Sequence, residues 1–244
     1  MALYRFLYPI VNWLVRVLAR VTVTGAEHMP RSGGVLLVSN HLTSYDPMIV
    51  GMNFKRILRF MAKIELYRNP ARAWFVTQLQ AFPIRRGEAD RAALRYAEEL
   101  LKDGRVVAIF PEGHRSRNAA MQAGQPGIAL LARRTGAPIL PVAITGTEHF
   151  LPRALPRWRP WRRPALTITV GAPFTLPPHA GRADYTALID LIMSRVAALL
   201  PPAYRGVYAD EGESGIRDLF EPSVQQYPRP EGGREGDDEG QARL

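Results

Sequence analysis

A histidine and an aspartate five positions apart, His41 and Asp46, follow closely on a short apolar run at residues 35–38. A short, unbroken apolar run reads as a buried strand. In an open α/β sheet ligands collect at the carboxyl ends of strands, which is where His41 falls. Imidazole exchanges a proton near neutral pH, and a carboxylate on its other nitrogen fixes the tautomer and stabilises the imidazolium. The spacing lets a turn fold Asp46 back onto His41. A His–Asp dyad without a protein nucleophile activates a hydroxyl of the substrate itself. Asp46 also precedes Pro47 and so reads as the N-cap of a helix with proline at its first position, a role compatible with the first.

Two further segments carry chemistry. In Phe110-Pro111-Glu112-Gly113-His114-Arg115-Ser116, Gly113 permits a sharp turn, Arg115 supplies a fork that matches phosphate, and Glu112 can hold a polyol hydroxyl. In Pro83-Ile84-Arg85-Arg86-Gly87, Arg85 or Arg86 can grip a phosphate monoester, although a solvated surface pair is the plainer account. His28, His149 and His179 read as surface or packing residues, and no metal-ligand cluster emerges. Arginines 153, 157, 159, 162 and 163 interleave with Trp158 and Trp161. That composition suits either a membrane-interface loop or a rigid surface loop.

The elements that position these residues alternate. Strands are expected at 35–38, 57–62, 106–110, 139–144 and 166–170, and helices at 72–80, 88–103, 127–134 and 185–200. This alternation implies an α/β fold, a mostly parallel twisted sheet flanked by helices. Residues 1–23 read as an amphipathic helix lying in a membrane interface. Arg5, Asn12, Arg16 and Arg20 form one polar stripe, and the longest uncharged run is too short to span a bilayer. The same pattern also suits a helix packed on the protein's own core. Residues 24–205 form the α/β domain. Residues 206–244 read as an acidic tail too poor in core-forming residues to fold.

The chain has 244 residues, no cysteine and a net charge of +10. The missing cysteines exclude a thiol nucleophile, a disulfide framework and a thiolate metal site. From Asp210 onward there are ten acidic and four basic residues, which leaves 28 basic against 12 acidic residues before it. A surface of that sign attracts polyanions: nucleic acid, anionic headgroups or the phosphates of coenzyme A. A basic nucleic-acid-binding protein is therefore an alternative, but no helix-turn-helix, zinc or RNA-binding signature supports it. A lipid-directed serine hydrolase lacks its Gly-x-Ser-x-Gly elbow, since Gly212-Glu213-Ser214-Gly215 breaks the spacing.

Taken together, Asn40-His41 with Asp46, residues 82–87, residues 110–116 and Ile139-Leu140-Pro141-Val142 resemble the ordered blocks of the phospholipid acyltransferase family that makes phosphatidic acid from lysophosphatidic acid. The similarity runs over residues 24–170. It implies that His41 is the general base and Asp46 its partner, with Arg85 or Arg86, Glu112, Gly113 and Arg115 forming the glycerophosphate site. It implies direct acyl transfer from acyl-CoA or acyl carrier protein to a lysophospholipid hydroxyl, without cofactor or metal. Lysophosphatidic acid is the first expected acceptor, and another lysolipid such as a lyso-ornithine lipid the second. The place of action is an anionic membrane surface, with the protein peripheral on its cytoplasmic face and no nucleic-acid partner. One position departs from the family: His114 stands where a threonine or similar small residue is usual, and a larger ionisable group there reshapes the acceptor pocket.

Overall fold

The computed structural model describes residues 2–85, 90–150, 163–176 and 185–209. Arg86, Gly87, residues 153–162 of the arginine–tryptophan segment, His179 and the chain from Asp210 lie outside the described residues.

Three strands form the centre: β2 (Val35–Ser39), β5 (Val106–Ile109) and β6 (Ile139–Thr145). Every residue of these strands is buried except Thr145. Strands covered on both faces read as continuous apolar runs, which is why they stand out in the sequence. On one side lie β3 (Leu58–Lys63) and β4 (Phe82–Ile84), and on the other β7 (Ala165–Val170) and β1 (Arg20–Thr24). The seven-stranded order is β1-β7-β6-β2-β5-β3-β4. All neighbours are parallel except β6 and β7.

Alternate side chains feed two cores. Leu36, Val38, Val107 and Ile109 pack with α4 (Arg91–Lys102), α5 (Gly127–Thr135) and α6 (Tyr185–Ala197). Val35, Leu37, Val106 and Ala108 pack on the other face with Val15 of α1 (Ala2–Leu18) and Ile49 and Val50 of α2 (Asp46–Gly51). The remaining helix, α3 (Pro70–Gln78), lies on the crossover from β3 to β4 and buries only Val76.

Both ends of the α/β domain differ from the sequence expectation. The first helix ends at Leu18, and Arg20–Thr24 is a strand paired with β7. Its Val and Thr residues are β-branched and alternate in exposure, which favours a pleated edge over a last helical turn. The polar stripe of α1 is partly tied down as well, since Arg16 donates to Asn12 at 3.2 Å and to Asn53 at 3.0 Å. The helix buries Val15 and leaves Ile10, Trp13, Leu14 and Val17 exposed. At the other end, Gly206–Tyr208 forms a 3-10 turn with Tyr208 buried and its hydroxyl donating to Asp190 at 3.0 Å. The folded body therefore extends to Ala209.

Candidate active site

The apolar run of β2 ends in three buried polar residues, Ser39, Asn40 and His41. Asn40 continues the sheet with its side chain. Its amide donates to the Ile144 carbonyl at 2.9 Å, and its carbonyl accepts from the Ile144 N–H at 2.8 Å. This two-point clasp to β6 anchors the turn on which His41 stands.

His41 and Asp46 meet. Nδ1 lies 2.8 Å from Oδ2 of Asp46, with the carboxylate fully buried and His41 7% exposed. A carboxylate only accepts, so Nδ1 is the donor and Nε2 of the neutral ring keeps its lone pair. The same Oδ2 accepts from the N–H groups of Leu42 at 2.6 Å and Thr43 at 2.7 Å. Oδ1 accepts the hydroxyls of Thr43 at 2.8 Å and Thr147 at 2.7 Å. Five donors thus fix the carboxylate's orientation. They also explain why Asp46 is not the N-cap read from the sequence: its oxygens face back along the chain, and Tyr45 occupies the cap position.

The second segment holds the histidine from the other side. Glu112 Oε1 accepts the His41 N–H at 2.8 Å, and the His41 carbonyl accepts the Ser116 N–H at 2.8 Å. Phe110 stacks on the imidazole with ring centroids 4.2 Å apart. Glu112, read from the sequence as a group for a polyol hydroxyl, commits its other oxygen to the Gln122 N–H at 3.0 Å and is 1% exposed. Its carboxyl is pushed up to about 7, first by burial, with nearby Asp46 adding to the shift and the two backbone N–H groups opposing it. Gly113 takes a left-handed φ of +72° at the turn that follows, a conformation costly for other residues.

A cavity of about 570 Å³ opens beside this network. Its apolar wall includes Met61, Ile84, Leu94, Ile109, Ile128 and Leu130, and its polar wall includes Arg85, Glu112, Gly113 and His114. His41 and Asp46 are not themselves lining residues. His41 contacts two residues that are, Phe110 and Glu112. Arg85 and His114 are exposed at its wall. Arg115 lies apart from the lining and reaches instead toward the dyad's own turn, donating to Ser44 at 2.9 Å. Contributors with no counterpart among the sequence-predicted site residues include Thr43, whose amide and hydroxyl both reach Asp46, and Thr147, just past the end of β6. The usable signal for Thr147 was its place at a strand's carboxyl end, the same rule that singles out His41. Among the described residues no three of His, Cys, Asp and Glu come together as a metal site.

The description "Acyltransferase" belongs to a family model that matches residues 20–145, just over half of the chain and spanning β1 to β6. The chain belongs to the acyltransferase family. A 1-acyl-sn-glycerol-3-phosphate acyltransferase of Borreliella burgdorferi is 31% identical over 140 residues, 57% of this chain and 55% of that protein. The one from Bacillus subtilis is 27% identical over 146 residues, 59% of this chain and 72% of that protein. The chain thus spans about half the length of the Borreliella relative. The crystal structure of PlsC, the 1-acyl-sn-glycerophosphate (LPA) acyltransferase of Thermotoga maritima, superposes with a TM-score of 0.59 at 24% identity, covering 79% of this chain and 78% of that one. That likeness is one of fold, the mostly parallel sheet flanked by helices. The family match encloses both halves of the dyad, Phe110 to Ser116, and the β6 strand clasped by Asn40.

Proposed function

We propose that the chain moves a fatty acyl group from a thioester to the free hydroxyl of a lysophospholipid, with 1-acyl-glycerol-3-phosphate as the first acceptor. The observation that carries this is the His41–Asp46 pair, held at 2.8 Å on a turn tied to both neighbouring strand ends. Nε2 of His41 takes the acceptor's proton while its oxygen attacks the thioester carbonyl. Asp46 stabilises the imidazolium that forms. Collapse of the tetrahedral intermediate breaks the carbon–sulfur bond, and the thiolate leaves with the proton returned by His41. No acyl group is carried on the enzyme, and no cofactor or metal is called on.

The cavity supports the substrate assignment. Its aliphatic wall suits an acyl chain and Arg85 at that wall supplies a cationic fork for a phosphate, while Arg115, outside the lining, offers a second beside the dyad's turn. Arg86 is assigned to the same task from the sequence alone. Glu112 is a positioning residue here, acting on the acceptor through His41, and Gly113 gives the turn its shape. His114 at the cavity wall favours a second reading of the acceptor, another lysolipid whose headgroup fits beside an imidazole.

The substrates place the protein at a membrane. Among the described residues no helix is long and apolar enough to cross one. Trp13, 65% exposed on α1 beside exposed Ile10, Leu14 and Val17, suits a helix lying in the interface. The face concerned is the cytoplasmic one, where acyl-CoA and acyl carrier protein are found. The test is purified protein supplied with radiolabelled acyl-CoA or acyl carrier protein against a panel of lysolipids. Labelled phosphatidic acid from lysophosphatidic acid is the expected product, and no labelled phospholipid from any acceptor would refute the proposal.

A further inference from the structure

The crossover from β3 to β4 contains a weakly anchored helix. A surface helix is normally held by an apolar face packed on the core. Helix α3 has nine residues and buries one side chain, Val76. Its two large aromatics point outward instead, Trp74 at 54% exposure and Phe75 at 44%. Pro70 and Ala71, one turn earlier, are exposed beside them.

The charge around this patch is predominantly positive. From residue 66 to residue 87 the chain has four arginines, 68, 72, 85 and 86, and no aspartate or glutamate. Arg68 and Arg72 precede the aromatics and are exposed. Exposed Trp and Phe beside arginines, with the neighbouring acid Glu65 paired to Lys63 at 3.6 Å, match the interfacial zone of an anionic bilayer, where rings enter the headgroup boundary and guanidinium groups meet phosphates.

The strands on either side of the patch reach the cavity. Helix α3 joins the 3-10 turn Ile64–Arg68 at the carboxyl end of β3 to strand β4, and Met61 of β3, Ile84 of β4 and Arg85 line the cavity. We infer that α3 is a lipid-docking element, separate from α1, that seats this edge of the cavity on an anionic membrane through Trp74, Phe75, Arg68 and Arg72. It rests on the assignment of lipid substrates above. Two separate docking helices constrain the orientation of the sheet against the bilayer more than one does.

The test uses the full-length chain with single tryptophans. Trp13, Trp158 and Trp161 are changed to Phe to leave Trp74, and a companion protein keeps Trp13 alone. With vesicles of phosphatidylcholine and phosphatidylglycerol, Trp74 emission should shift to the blue and be quenched by brominated phosphatidylcholine. The W74S/F75S variant should partition onto these vesicles about tenfold more weakly, with its melting temperature unchanged. R68E/R72E should weaken partitioning to phosphatidylglycerol vesicles by at least about tenfold and leave binding to pure phosphatidylcholine little changed. A Trp74 signal indifferent to vesicles, alongside a Trp13 signal that responds, overturns the role of α3 and leaves membrane association through α1 standing. Silence from both overturns membrane association itself. Trp74 emission already blue and shielded from iodide without vesicles marks a patch covered by the acidic segment from Asp210 or by a second copy, and overturns the proposal too.

Discussion

Replacing Asp46 by Asn separates the charge of the dyad from its geometry. Oδ2 faces three N–H donors: His41 Nδ1, Leu42 and Thr43. Oδ1 faces two hydroxyls, of Thr43 and Thr147, which can turn to accept. The Asn amide therefore has one good orientation, oxygen toward the three N–H groups and NH2 toward the hydroxyls. All five contacts survive in form, and only the negative charge is lost. The charge matters when His41 becomes an imidazolium. At 2.8 Å and an effective dielectric near 20, the pair interaction is about 6 kcal/mol as an upper figure. The difference between a charge-assisted and a neutral hydrogen bond sets a lower figure of about 1–1.5 kcal/mol. Those bounds translate to a fall in kcat of roughly 10–10⁴-fold. The assay is acyl transfer to lysophosphatidic acid at saturating acyl-CoA, alongside thermal melting of the same preparation. A folded D46N enzyme that keeps kcat within about threefold of wild type would refute the reasoning, because the carboxylate would then have no electrostatic part in the barrier.

Thr147→Val removes one donor to Asp46 and should lower kcat about tenfold, while Thr147→Ser restores most of it; equal loss in both variants would point to packing instead of the hydroxyl. Glu112 carries a pH signature. Its folded pKa of about 7 is raised from 4.5, so the unfolded chain gives up that proton first and stability falls as pH rises through that window. Wild type should therefore lose on the order of 2–3 kcal/mol relative to Glu112→Gln between about pH 4.5 and pH 8, measured by denaturant melts, and a pH-independent difference would contradict the assignment. Removing the ring beneath the imidazole, Phe110→Ala, should lower kcat more than it raises KM, since the ring bears on His41 as well as on the cavity. Trp13→Ser should reduce co-sedimentation with anionic vesicles without changing the melting temperature, as expected for a side chain 65% exposed.

What was legible from the chain was local. Residues 35–38, 106–110 and 139–144 announce themselves because central parallel strands are apolar on both faces, and His41 inherits its position from the first of them. The five-residue return of Asp46 is likewise a short-range event. Arg20–Thr24 was hidden by its neighbour, since an apolar helix runs almost directly into it and only the Val–Thr alternation betrays a strand. Phe82–Ile84 is three residues long with a proline in it, tolerable at a sheet edge and too short to show a period. The partners of the site were invisible for a different reason. Glu112 holds a backbone N–H 71 residues away and Thr147 a carboxylate 101 residues away, and neither contact leaves a pattern in composition or spacing. Glu112 looks like a substrate group when its neighbours in sequence are considered, and like a clamp once those in space are.

Turnover of purified His41→Ala with acyl-CoA and lysophosphatidic acid is the most direct measurement. Positioned general-base catalysis is worth about 10²–10⁴-fold, so the variant should stay folded and lose at least 100-fold in kcat. Turnover near that of the unaltered protein would contradict proton transfer to the imidazole as the step that drives the reaction.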